Sequence, residues 1–87
     1  MTDRELDQLR GRIAETDREL LALVNARLGL VRAIRARKEA LGVPFVDPQQ
    51  EERLLERLRD ANGGPLSAGG VERLFREILA LTKSESG

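Results

Sequence analysis

The sequence contains no cysteine and no histidine. Those absences remove disulfides, a thiolate nucleophile, an imidazole base and the usual zinc ligand sets. Aromatics are scarce: two Phe, no Trp and no Tyr. Only three prolines interrupt the 87 residues. Neither sign of charge is in excess, since 15 basic residues balance 15 acidic ones along the chain. A nucleic-acid binder would concentrate positive charge on one face, so no nucleic-acid partner is expected. No apolar run approaches the length of a membrane span, and the first residues show no basic-then-apolar pattern. The expectation is a cytoplasmic protein with no membrane partner.

What remains is rich in Leu, Ala, Glu and Arg. That is the composition of an all-α protein, and the length allows a single domain, 1–87. Arg outnumbers Lys thirteen to two, which makes the placement of Lys38 worth following.

The stretch 3–41 reads as one amphipathic helix. In alternating steps of four and three it passes Leu6, Arg10, Ile13, Asp17, Leu20, Val24, Arg27, Val31, Ile34, Lys38 and Leu41. This is the seam of a helix packed against partner helices. Four of its positions are charged, and three of those, Arg10, Arg27 and Lys38, are cations where Leu or Val is expected. Thr2 and Glu5 fit a capping box at the start. Gly11 and Gly29 each weaken the helix by about 1 kcal/mol relative to Ala, too little to break so long a pattern. Gly42, followed by Val43-Pro44, marks the stop.

Asp47-Pro48 is a capping residue followed by proline at the first helical position, which predicts a second helix over 48–61. Asn62-Gly63-Gly64-Pro65 ends it. Its apolar residues are Leu54, Leu55 and Leu58, and Glu51 points along the same stripe. Ser67 starts a third helix, over 68–84, buried through Val71, Leu74, Phe75, Ile78, Leu79 and Leu81. Thr82 ends that stripe with a hydroxyl, and residues 83–87 read as a frayed tail.

A helix of 38 residues spans about 57 Å. A compact chain of this size has a radius of gyration of about 12 Å. The remaining residues cannot wrap such a rod, so something else must cover it, and the simplest candidate is a second copy. The expected architecture is a three-helix chain, with one very long N-terminal helix and two shorter ones, forming an intertwined homodimer.

Burying a cation costs several kcal/mol unless a partner compensates it. Two outcomes follow. Arg10, Asp17, Arg27, Lys38 and Glu51 form an internal salt-bridge network, or reach water by their long stems. Alternatively the surplus positive charge awaits an anionic ligand, held by Arg forks that grip carboxylates at two points.

The run Leu9-Arg10, Ile13, Asp17, Leu20-Leu21, Leu23 and Arg27, followed by Lys38, resembles the first helix of the all-α (AroQ-class) chorismate mutases. Pro44, Asp47, Glu51 and Leu54-Leu55 resemble that family's second helix and the loop before it, and Leu74-Phe75 with Ile78 its third. The resemblance implies an isomerase that converts chorismate to prephenate by an intramolecular Claisen rearrangement. It implies an intertwined dimer with two equivalent sites and no cofactor. By the same resemblance, Arg27 and the Arg10 of the other protomer hold the substrate's two carboxylates. Lys38 donates to the ether oxygen, and Glu51 accepts from the ring hydroxyl with help from the backbone around Asp47. Thr82 sits where the family often has Ser near the ring carboxylate.

Two positions depart from the pattern. Gln50 stands where many members have Arg, and Ser86 stands where the family usually has Gln or Glu sharing the ether oxygen with the Lys. Family precedent also implies, as a partner, a complex with the first enzyme of the shikimate pathway. Competing expectations are an isochorismate pyruvate lyase or a 4-amino-4-deoxychorismate mutase on the same scaffold. A non-catalytic helical dimer or regulatory module is the reading from outside the enzymes.

Overall fold

The structure is a computed structural model that describes residues 3–87. Three helices follow one another in the chain: α1 (Arg4–Leu41), α2 (Pro48–Ala61) and α3 (Ala68–Ser86). There is no strand among the described residues.

Each helix end has a local chemical cause. Asp3 caps α1, its side chain accepting from the Leu6 amide at 3.1 Å. The expected cap at Thr2 lies outside the described residues. Glu5 and Asp7 occupy the first turn and Lys38 the last, each matched to the partial charge of the nearer helix end. At the far end Gly42 adopts φ 69°, a left-handed conformation that disfavours any residue with a Cβ. Its amide donates to Glu39 O at 3.1 Å and the next amide, Val43, to Lys38 O at 3.0 Å. Those two bonds satisfy carbonyls that the last turn would otherwise leave open. Asp47 caps α2 by accepting from the Gln50 amide at 3.2 Å, with Pro48 at the start of the helix. Ser67 caps α3 in the same way, through the Gly70 amide at 3.0 Å.

The helix directions follow from the order of the contacts. Going up α1, Arg27 meets Thr82, Arg32 meets the Glu85 carbonyl, and Arg35 meets Ser86. Hence α1 and α3 run parallel. Going up α2, Glu51 pairs with Lys83, Glu52 with Arg76 and Arg59 with Glu72, so α2 and α3 are antiparallel. Glu52 and Arg59 therefore join α2 to α3. Arg76 forks between Glu72 at 2.8 Å and Glu52 at 3.3 Å. Its hydrogen bond to Glu72, reinforced by its charge, holds that carboxyl below the usual glutamate range.

These bonds also correct the expected frayed tail. α3 continues to Ser86 because Lys83, Glu85 and Ser86 are each held by a side chain of α1 or α2.

The core is very small. Leu55, Val71 and Thr82 are the buried residues among those described, and α1 contributes none. Leu6, Ile13, Leu20, Ile34 and Leu41 of the seam are all more than two-fifths exposed. The chain is accordingly a rod, 62 × 24 × 17 Å, with a radius of gyration of 16.9 Å. That radius exceeds the ~12 Å of a compact chain of the same length.

Candidate functional site

Where the upper half of α1 faces the other two helices, the three elements and the loop after α1 line an open cleft. Arg27, Val31, Ile34 and Lys38 come from α1, and Phe45, Val46 and Asp47 from the loop. Gln50 and Glu51 come from α2, and Leu79, Thr82 and Lys83 from α3. The spacing of four, three and four along α1 keeps its contributors on one helix face, so the charged ends rise from an aliphatic floor.

Thr82 is 2 % exposed, and its hydroxyl is fully used. It donates to Ile78 O at 2.7 Å and accepts from Arg27 Nη1 at 2.8 Å. With its one proton given to the backbone, Thr82 orients Arg27 rather than donating into the cleft. Lys38 Nζ donates to the Phe45 carbonyl at 2.9 Å and lies 5.9 Å from the centre of the Phe45 ring. Asp47 is committed to capping α2. The Gln50 side chain lines the cleft while accepting from Arg53 at 3.0 Å. Glu51 is paired with Lys83, Oε1 to Nζ, at 2.7 Å.

Six of the residues singled out from sequence thus meet at one place: Arg27, Lys38, Asp47, Gln50, Glu51 and Thr82. Two do not. Arg10 is exposed on the lower half of α1, seventeen residues and about 25 Å along the axis from Arg27. Ser86 does not line the cleft; its hydroxyl accepts from Arg35 Nη1 at 3.0 Å and donates to Lys83 O at 3.0 Å. Arg35 also stacks on Phe45, with its guanidinium carbon 4.3 Å from the ring centre. Sequence reasoning missed Lys83 and Phe45. The available signal for Lys83 was its spacing of four from Leu79 on the inner face of α3. Phe45 contributes through its carbonyl, which no side-chain pattern reveals.

The balance of charge in the cleft bears on the two outcomes left open by the sequence. Three cations face two carboxylates, one of which caps a helix and the other of which pairs with Lys83. Among the described residues neither Arg27 nor Lys38 forms an ion pair, and neither do Arg10 and Asp17. Among the described residues of one chain the internal network does not form. A half-buried guanidinium and ammonium over an apolar floor, both held by neutral oxygens, have the chemistry to hold a small organic anion. No metal-binding group of acidic residues occurs among the described residues.

Comparison with known proteins agrees with this geometry. The model of the family "Chorismate mutase type II" matches residues 9–86. The bifunctional chorismate mutase/prephenate dehydratase of Neisseria gonorrhoeae is 38 % identical over 71 residues, covering 82 % of this chain and 19 % of the relative. The protein of the same name from Pseudomonas aeruginosa is 36 % identical over 81 residues, covering 87 % and 22 %. The chain therefore spans about a fifth of the length of those two relatives. The structure of a chorismate mutase from Thermus thermophilus (form II) superposes with a TM-score of 0.91 at 31 % identity, covering 95 % of this chain and 94 % of that one.

Proposed function

Because the chain belongs to the chorismate mutase type II family, we propose that it converts chorismate to prephenate in aromatic amino-acid biosynthesis, in the cytoplasm. The observation that carries this reading is the pair Arg27 and Lys38, left without a carboxylate partner over an apolar floor. The substrate is a flexible dianion, and its rearrangement is pericyclic. It requires no nucleophile and no proton transfer, so a site built without His or Cys is chemically sufficient. What it does require is a compact reactive conformer and a fixed cation near the oxygen of the breaking carbon–oxygen bond.

In this assignment Arg27, oriented by Thr82, grips one carboxylate with its planar fork. Lys38 is a compact point charge that can leave the Phe45 carbonyl for the ether oxygen, where negative charge develops. Glu51 accepts from the ring hydroxyl beside the backbone of Asp47, and Gln50 forms part of the rim. Ser86 is held by Arg35 and receives no role at the substrate.

The second carboxylate needs a second fork, and we assign it to the partner subunit's Arg10 in an intertwined homodimer. Two features support the dimer. The surface of the chain is 7104 Å², about 2,000 Å² more than a compact protein of this mass would expose. An excess of that size is what an obligate interface buries. The register is the second feature. Two copies of α1 paired antiparallel about their midpoint, between residues 22 and 23, bring residue 10 level with about residue 35 of the other copy. That level lies between Arg27 and Lys38. With this second guanidinium four cations face two carboxylates, so the site has two net positive charges for a dianion.

The direct test is to incubate the pure protein with chorismate, isochorismate and 4-amino-4-deoxychorismate and identify the products. The first enzyme of the shikimate pathway, the proposed partner, is added in a parallel series. Prephenate from chorismate is the expected result. Salicylate and pyruvate from isochorismate, with no prephenate, would transfer the protein to the lyases. Failure to turn over any of them in both series would leave only a non-catalytic role.

Thr82→Val tests the positioning of Arg27. The substitution keeps volume and branching but removes the acceptor for a charge-assisted hydrogen bond. It is expected to lower kcat/KM by about tenfold, mainly through KM, since the guanidinium remains but is no longer aimed. An unchanged KM in a folded variant would mean that Arg27 is held by other contacts.

A further inference from the structure

The chain has two lysines among its fifteen basic residues, and both lie in the cleft. Lys38 is accounted for. Lys83 is not: it stands on α3 directly after Thr82, and its ammonium meets Glu51 at 2.7 Å. The two side chains are 35 % and 27 % exposed, which makes this the most enclosed ion pair among the described residues. It also bridges α2 and α3 across the cleft, so it sets where the Glu51 carboxylate stands.

The consequence concerns which substituent Glu51 can receive. A lone carboxylate in a half-buried site attracts a cation more strongly than a neutral donor. A carboxylate whose charge is already balanced by a contacting ammonium loses most of that preference. It keeps free lone pairs, however, and can still accept from a hydroxyl. Asp47 caps α2, and the partial positive charge of that helix end offsets part of its negative field. Arg27 and Lys38 in the same cleft add further repulsion toward any cationic substituent.

We propose that Lys83 is a specificity determinant, which by balancing Glu51 selects a ring bearing a neutral hydroxyl over one bearing a charged amino group at the carbon facing Glu51. The inference rests on the mutase reading above and deepens it. Glu51 alone could receive either ring but would favour the charged 4-amino analogue. The Lys83–Glu51 pair separates them. Lys83 acts through Glu51 and is a positioning residue with a charge of its own.

The experiment is a comparison of kcat/KM for chorismate and for 4-amino-4-deoxychorismate in the wild type, Lys83→Met, Lys83→Gln and Lys83→Arg. The wild type is expected to favour chorismate. In Lys83→Met and Lys83→Gln the ratio should move toward the amino substrate by about tenfold, the effect of removing one partly screened charge beside another. The shift should lie in KM. Lys83→Arg should restore the wild-type ratio, which a purely steric role would not predict. In a Glu51→Gln background, removal of Lys83 should move the ratio less than it does in the wild type, because only the direct repulsion by the ammonium is then lost. Circular dichroism on each variant shows whether it is folded, and the Gln variant retains a polar side chain should Met prevent folding. Turnover of chorismate by the wild type with an unmoved ratio in the folded variants overturns the role of Lys83 and leaves the mutase reading intact. A wild type that turns over neither substrate removes both.

Discussion

Lys38→Ala is expected to lower the rate of prephenate formation by about a thousandfold, in a protein that still folds and still dimerises. Loss of a single preorganised donor aimed at developing charge costs 10²–10³ in kcat in well-studied enzymes, about 3–4 kcal/mol of transition-state stabilisation. Here no other group takes over. Arg27 is committed to Thr82, and Ser86, one turn beyond Thr82, is held by Arg35. The structural cost of the change is small. Lys38 makes one hydrogen bond, to a carbonyl on a half-buried loop residue that water can reach, and it belongs to no ion pair among the described residues. Lys38→Arg keeps the charge, yet its planar fork cannot reproduce a compact ammonium and should recover little. The measurement is single-turnover chemistry beside circular dichroism and size-exclusion elution. A variant that turns over at the wild-type rate would show that the ammonium is not aimed at the breaking bond. A variant that unfolds would assign Lys38 to the scaffold.

The second large effect comes from mixing two inactive proteins. In the proposed dimer each site takes Arg27 from one chain and Arg10 from the other. Arg10→Ala and Arg27→Ala homodimers should each lose about 10²-fold or more in kcat/KM, since each lacks one of two forks for a dianion. Refolded together, the chains form a heterodimer in which one site lacks both arginines and the other keeps both. Random pairing makes half of the dimers mixed, so about a quarter of wild-type activity should return. That is a gain of more than an order of magnitude over either parent. A mixture no more active than its components would place Arg10 outside the site.

The two experiments probe what was legible in the sequence to different degrees. The helices could be read because their ends are written in local chemistry: Asp47-Pro48 before α2, Ser67 before α3, and a glycine at position 42 where the chain turns left-handed. Arg27, Lys38 and Glu51 could be read because a charge at a seam position contradicts its periodic setting. Lys83 escaped that test. It lies just past the apolar stripe of α3, among Ser and Glu, where composition suggests a fraying end. Only the fold reveals that antiparallel α2 carries Glu51 up to it. Ser86 went the other way. Its spacing of four from Thr82 aligned it with a functional position, but Arg35, on the same level of the parallel α1, is long enough to take its hydroxyl. Spacing along one helix says nothing about which neighbour arrives first from another.

That α1 buries none of its own side chains has a further consequence, one of mass action. A chain with three buried residues among those described has little to hold it together by itself. In the proposed homodimer its folding and its pairing would be one equilibrium. Turnover per chain should fall as the protein is diluted below its dissociation constant, steeply, because dilution removes both the second fork and the ordered helix that carries the first. Substrate, gripping residues from both copies, would oppose that loss and act as the glue of its own catalyst.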